Sequence, residues 1–141
     1  MAEIIYQYPL KSTNCFENDS IQWLNVDDLD VFNKHLSECG QRSVSGAVWK
    51  QIQESGTRYC GLFVGSNMIA RACVEKYSDT KWEVADVRTV KAYRNRGFAF
   101  QVCNFVLQYI LAHEKTATIR TEEDNFAMQS VIAKLGFTQI A

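Results

Sequence analysis

The stretch Thr89-Val90-Lys91-Ala92-Tyr93-Arg94-Asn95-Arg96-Gly97-Phe98-Ala99 decides how this chain is read. It leaves an apolar, strand-like run, turns through a short basic loop, and opens the longest apolar segment, Gly97 to Ala112, on a glycine. Within that segment Gln101, Asn104 and Gln108 fall at i, i+3 and i+7, which predicts one narrow wet stripe on an otherwise buried helix. Backbone N–H groups at a helix start lack intrahelical acceptors and make an anion site. Gly97 and Ala99 leave room for a bulky phosphate to approach them, and Arg94 and Arg96 add local positive charge.

Upstream, three strands are expected, Arg58 to Val64, Met68 to Tyr77 and Trp82 to Val90. The hairpin-length turns 65–67 and 78–81 separate them, so they form an antiparallel meander. Downstream, Thr116 to Thr121 reads as a strand. A helix between it and the Trp82–Val90 strand implies a parallel crossover, so the sheet is mixed. Asp124 suits the start of a last helix that turns Ala127, Met128, Val131, Ile132 and Leu135 inward and ends at Lys134 and Gly136. Two helices precede the meander: Val26 to Cys39, with Asn25 and Asp28 at its start and Gly40 at its end, and Val44 to Glu54, closed by Gly56. The expected fold class is α/β, mixed α+β: a central twisted mixed sheet with helices on both faces.

With 141 residues, 47% hydrophobic and 22% charged, the chain suits one domain with a single core and excludes disordered, collagenous and coiled-coil classes. Residues 1–19 read as an N-terminal extension. Lys and Arg number 15 against 16 Asp and Glu, so no global positive field favours nucleic acid as a partner. Five cysteines without a Cys-x-x-Cys pair, and two histidines far apart, argue against a metal site or a disulfide framework. No run of eighteen apolar residues marks a membrane span, and a cytoplasmic location is expected. Cys60, Cys73 and Cys103 are expected in the core, as are Trp49 and Trp82. His35 is expected at the surface or as a cap, His113 at a helix end, and Asp27, Asp28, Asp30 and Glu38 on a solvated helix exterior.

The loop resembles the coenzyme A loop of the GNAT superfamily of N-acetyltransferases, Gln/Arg-x-x-Gly-x-Gly/Ala between a strand and a helix, here Arg94, Gly97 and Ala99. A second family motif, an Asn opening a helix that ends in Lys-x-Gly-Phe, is matched by Asn125 and by Lys134-Leu135-Gly136-Phe137. The resemblance covers roughly 58–141, and the two earlier helices fit the family's order. A dinucleotide-binding unit is disfavoured, because Gly-x-Gly-x-x-Gly is missing and hairpins precede the loop.

The resemblance implies a GNAT-type acyl-coenzyme A N-acyltransferase fold and acetyl-coenzyme A as acyl donor, without a metal. The diphosphate would lie on the backbone of Asn95, Arg96, Gly97, Phe98, Ala99 and Phe100. Pantetheine would run along the Trp82–Val90 strand to its end at Arg88, Thr89 and Val90 and meet Asn125, which also suits a helix cap. The acceptor it implies would be a small amine or a peptide or protein amine, on a monomer or homodimer.

Acetyl transfer needs a proton removed from an ammonium whose pKa is near about 10 before its lone pair attacks the thioester. Glu83 and Asp86 are the candidate carboxylates; in a regular strand they face opposite sides unless a bulge intervenes. Counting back from Arg94, Glu83 takes the position of the family's frequent glutamate base and ranks first, Asp86 second. A backbone N–H near Arg88 or Thr89 would hold the oxyanion.

Two departures from the family pattern matter. The tyrosine that protonates the leaving thiolate in many relatives is Ile132 here, with Tyr77 and Tyr93 as conceivable substitutes. That substitution supports a rival reading, a non-catalytic acyl-coenzyme A binding or regulatory module. The second departure is the end of the chain at Ala141, where relatives usually add a strand after Gly-Phe. The run Ile4-Ile5-Tyr6-Gln7-Tyr8 is then expected to cover the open sheet edge, in its own or a partner subunit.

Overall fold

The structure is a computed structural model and describes residues 2–9 and 20–140. Cys15 lies outside the described residues. Seven strands form one sheet: β1 Glu3–Gln7, β2 Ile21–Trp23, β3 Thr57–Val64, β4 Asn67–Glu75, β5 Lys81–Thr89, β6 Thr116–Glu122 and β7 Thr138–Gln139. Their spatial order is β2-β3-β4-β5-β6-β1-β7. The β5–β6 pair is parallel and the other pairs are antiparallel, so the sheet is mixed as expected.

The helices are α1 Leu29–Glu38, α2 Gly46–Glu54, α3 Phe98–Ala112 and α4 Phe126–Leu135. A 3-10 turn over Val26–Asp28 leads into α1. Asn25 Oδ1 accepts from the Asp27 N–H at 2.9 Å, and Asp28 Oδ2 accepts from the Asn25 N–H at 2.7 Å, a reciprocal cap. Helix α2 starts at Gly46 rather than Val44 because Val44 is tied on both backbone groups to Asn33, at 2.8 and 3.0 Å. Ser45 then caps it, its hydroxyl accepting from the Val48 N–H at 3.1 Å. The cap of α4 is Asn125 and not Asp124: Asn125 Oδ1 accepts from the Met128 N–H at 3.1 Å.

Strand alternation splits the apolar residues between two cores. On one face Cys60, Leu62, Ala70, Ala72, Val74, Val84 and Ile119 pack against Val102, Val106, Leu107 and Ile110 of α3 and Ile132 of α4. On the other face Met68, Tyr59 and Phe63 pack against Phe32 and Leu36 of α1 and Trp49 of α2. Each fully buried aliphatic side chain removes from water enough surface for about 1.5–3 kcal/mol. The Cys60, Cys73, Cys103, Trp49 and Trp82 side chains are buried as expected.

His35 corrects its sequence assignment. It is fully buried, with Nδ1 3.1 Å from the Met68 carbonyl, because α1 lies directly on β4. A carbonyl only accepts, so Nδ1 carries the proton and donates. Burial drives the ring's pKa down from 6.5 to about 4. The unprotonated Nε2 then faces Cys39 Sγ at 3.6 Å, one helical turn away.

The sheet edges also differ from expectation. Besides the expected N-terminal strand, a second strand precedes the helices, because β2 adds to β3 through Ile21↔Leu62 to Trp23↔Cys60. Strand β1 pairs with β6 from Glu3↔Glu122 to Gln7↔Thr118, so the N-terminal run covers that edge within its own chain. A short strand does follow Gly136-Phe137, and β7 pairs with the far side of β1.

Candidate functional site

Strand β5 changes character halfway along. From Lys81↔Thr116 to Val84↔Ile119 it pairs with β6; beyond that point β6 pairs only with β1, and the two strands part. The cause lies on the other edge. Between the pairs Cys73↔Ala85 and Arg71↔Arg88, β4 advances two residues and β5 three, which is a β-bulge. Asp86 takes a left-handed conformation there, with φ of 48°. The bulge turns Asp86 to the face that carries Tyr59 and Arg71, the same face as Glu83. The Tyr59 hydroxyl donates to Asp86 Oδ2 at 2.5 Å, while Arg71 Nε and Nη2 donate to Oδ2 and Oδ1 at 3.3 and 3.1 Å.

Below the parting point a cavity of about 770 Å³ opens between the end of β5, the loop before α3 and the start of α4. The loop has its expected shape. Asn95 and Gly97 are both left-handed, φ 64° and 83°, and no side chain caps the α3 N-terminus at Gly97. A Cβ built on Gly97 meets nothing within 4 Å, so its requirement for glycine is conformational, with open space in front of it. The residues of the first helical turn, Phe98 to Phe100, line the cavity, and no N-cap side chain covers their backbone N–H groups. Arg94 is anchored beside them, its Nε donating to the Thr89 carbonyl at 3.1 Å.

Of the sequence-derived residues, Asp86, Arg88, Thr89, Arg94 and Asn95 line this cavity, together with Gly97, Phe98, Ala99, Phe100 and Asn125. Val90 and Arg96 do not: the Val90 N–H donates to the Ile69 carbonyl at 2.9 Å, and the Arg96 guanidinium lies 5.5 Å from the Tyr93 ring centre. Strand alternation that turns Val90 toward β4 turns the Thr89 N–H toward the edge that β6 has vacated.

Glu83 does not reach the cavity wall either. It is buried, and both carboxylate oxygens accept from Arg120 Nε, at 3.0 and 3.1 Å, with the Thr118 hydroxyl at 3.3 Å. Opposite it on β4, Glu75 is raised above its usual pKa by burial and by the neighbouring Glu83 and Asp86 carboxylates.

Sequence reasoning missed the α4 wall. Ala127, Met128, Ser130, Val131 and Lys134 line the cavity, and Ala127 is exposed rather than inward. Their spacing of three and four residues is the signal that marks one helix face. Tyr93 also lines the cavity, whereas Tyr77 is committed to Thr118, hydroxyl to hydroxyl at 2.8 Å. Ile132, at the family's tyrosine position, is fully buried in the core. Among the described residues no cluster of three or more His, Cys, Asp or Glu is placed to hold a metal ion, and no helix is long and apolar enough to cross a membrane.

A cradle of uncapped N–H groups with open space in front of its glycine, flanked by Arg88, Arg94 and Lys134, fits an anion as large as a diphosphate. Known proteins share the arrangement's fold. A GNAT-family acetyltransferase from Novosphingobium aromaticivorans superposes with a TM-score of 0.79 at 17% identity, over 98% of this chain and 59% of that one. One from Colwellia psychrerythraea gives 0.76 at 20%, over 97% and 52%. The chain thus spans between half and three fifths of the length of these two relatives. AAC(6')-Iy, solved with the bisubstrate analogue CoA-S-monomethyl-acetylneamine, gives 0.71 at 17%, over 84% of this chain and 89% of that one. No curated protein sequence matches the chain. Residues 20–137, which run from β2 to the Phe137 that ends the second motif, match the acetyltransferase (GNAT) family, and the chain belongs to it.

Proposed function

We propose that this protein transfers the acetyl group of acetyl-coenzyme A to a primary amine, by direct attack of the amine on the thioester in a ternary complex. The observation that carries the reading is one cavity lined both by the start of α3, which has no side-chain cap at Gly97, and by Asp86. The first-turn N–H groups of α3 hold the diphosphate, with Arg88, Arg94 and Lys134 supplying countercharge. Pantetheine lies in the gap between β5 and β6, where strand pairing is absent, with Asn125 at its side. The Thr89 N–H meets the carbonyl oxygen as negative charge develops on it.

The base assignment moves from Glu83 to Asp86. A base must come within hydrogen-bond reach of the proton it takes. Both carboxylates are held by an arginine, and what separates them is access: Asp86 is on the cavity wall with its side chain 41% exposed, whereas the Glu83 side chain is buried and off the wall. In this reading Asp86 accepts the ammonium proton, directly or through one water, and Glu83 ties the paired half of β5 to Thr118 and Arg120 of β6. Tyr93 lies at the α3 end of the cavity, beside Phe98 and Arg96, so the reading assigns no tyrosine to the departing thiolate. A thiol of pKa near about 8.5 leaves tolerably without help, so the buried Ile132 does not forbid turnover.

One observation favours a second reading, a domain that binds acyl-coenzyme A without efficient turnover: the family's tyrosine position is a sealed core isoleucine. Both readings require the cradle. Coenzyme A at about 100 times its dissociation constant adds roughly 2.7 kcal/mol of stability, read as a rise in Tm. Gly97→Val forces a β-branched residue to φ 83° and removes that rise. A Tm unmoved by coenzyme A in the parent protein rejects both readings. Thiol release from acetyl-coenzyme A in the presence of a polyamine, an aminoglycoside and a peptide amine separates them.

A further inference from the structure

Arg71 sits in the middle of an apolar strand, between Ala70 and Ala72, and is 1% exposed. Two of its donors fork onto Asp86, while Nη1 is buried with no hydrogen-bond partner. A buried guanidinium with an unmatched donor is a poor device for stability, since a well-packed apolar side chain at such a site does as well or better. What the fork does supply is geometry. Asp86 is a non-glycine residue at φ 48° inside a strand, an uncommon conformation there that side-chain hydrogen bonds can hold.

Here two side chains supply them. Arg71 holds both carboxylate oxygens, and Tyr59 donates to Oδ2. Burial pushes the Tyr59 phenol above its ordinary pKa, so it stays a neutral donor wherever the carboxylate is ionised. Both come from strands on the far side of the bulge from the cavity: Tyr59 on β3, opposite Cys73, and Arg71 on β4, opposite Arg88. They therefore reach Asp86 from the rigid, doubly paired part of the sheet and leave its other side open to the cavity.

We propose that Arg71 is the positioning residue of this site: with Tyr59 it pins the Asp86 carboxylate at the cavity wall and, through it, keeps β5 bulged away from β6. The inference rests on Asp86 being the carboxylate that serves the amine, and its consequence for the strand can be read separately. Freed of the fork, Asp86 relaxes toward ordinary extended backbone, the extra residue of β5 loses its anchor, and the carboxylate swings off the wall. The coenzyme cradle, built on α3, is untouched.

The test is a double-mutant cycle with Arg71→Met and Asp86→Asn, assayed by thiol release from acetyl-coenzyme A with the same panel of amines. Arg71→Met alone lowers kcat/KM for the amine by at least about tenfold, while coenzyme A binding stays within about twofold. In the Asp86→Asn background, where an amide oxygen still meets Arg71, the second substitution adds less than about twofold. Arg71→Lys, a point charge without the fork, fails to rescue. Hydrogen exchange supplies the readout that needs no acceptor: the amides of 85–88 exchange at least about tenfold faster in Arg71→Met, and those of 97–101 do not. Tyr59→Phe gives a weaker version of the same pattern and serves if Arg71→Met fails to fold.

Losses that multiply in full, or unchanged exchange at 85–88, overturn the positioning role. Full activity in Asp86→Asn together with faster exchange at 85–88 in Arg71→Met removes Asp86 as base but leaves Arg71 as the anchor of the bulge.

Discussion

Glu83 and Asp86 are carboxylates on one strand and, after the bulge, on one face of it, yet they live in opposite circumstances. Glu83 belongs to the half of β5 that is paired on both edges, opposite Glu75 on one side and Thr118 on the other, and Arg120 seals it. Asp86 belongs to the half that has lost β6. It is bulged, left-handed and open to the cavity. Three positions of sequence separate a carboxylate spent on holding strands together from one that is half exposed on the cavity wall. The difference is made by what the neighbouring strand does, not by the residue type.

The largest effect expected from breaking this contrast is on catalysis. Asp86→Asn keeps an oxygen toward Arg71 and Tyr59 but loses the proton acceptor, so kcat/KM for the amine falls by about 10²–10⁴. Coenzyme A binding persists, because the cradle at Gly97 does not touch Asp86. A loss of coenzyme A affinity as large as the loss of rate would mean that the bulge and the cradle fold as one unit, and the contrast between the two halves of β5 would collapse.

The cradle was legible because a helix start that needs a left-handed residue and close backbone approach restricts its sequence to glycine at Gly97 and a small residue at Ala99. The α3 stripe was legible for the same reason: periodicity is local. The bulge was not, since it places a left-handed residue at an aspartate in a strand whose neighbours alternate normally, and nothing in Val84-Ala85-Asp86-Val87 announces an extra residue. Arg71 did leave a trace, a lone cation amid Met68-Ile69-Ala70 and Ala72-Cys73-Val74. Its partner lies fifteen positions away, and only the register of β4 on β5 brings them together. His35 was expected at the surface or as a cap, and its burial follows from the packing of α1 against β4, which is a tertiary fact. The insertion of β1 between β6 and β7 is likewise invisible locally, because strand character does not say which edge a strand will join.

An intermediate effect concerns what covers the face shared by the two carboxylates. Helix α1 is pinned to β4 by the neutral His35 ring, whose proton is donated to the Met68 carbonyl. Its folded-state pKa of about 4 lies below the unfolded 6.5, so between those values the unfolded chain binds a proton that the folded one refuses. Stability is therefore essentially complete above pH 6.5 and falls as pH drops toward 4, by about 2.5 kcal/mol at pH 4.5. Urea unfolding at pH 7 and 4.5 measures it, and His35→Gln flattens that part of the profile. An equal pH loss in the variant would assign the acid sensitivity to the carboxylates instead.

The smallest effect is expected at Glu83, and it sharpens the comparison most. Glu83→Gln keeps the size and one oxygen of the side chain but removes the negative charge that Arg120 Nε bridges, and Arg120 is itself 39% exposed. Solvent screening there limits the cost to about 1 kcal/mol of stability, which shrinks further in molar salt. The rate should change by less than about threefold, because the parting of β5 from β6 is set by the bulge three residues on and the amine never meets Glu83. Should Glu83→Gln instead lose activity on the scale of Asp86→Asn without losing stability, the buried carboxylate would have to open to the substrate during turnover. Arg120 would then be its gate, and Asp86 would be left with the structural role.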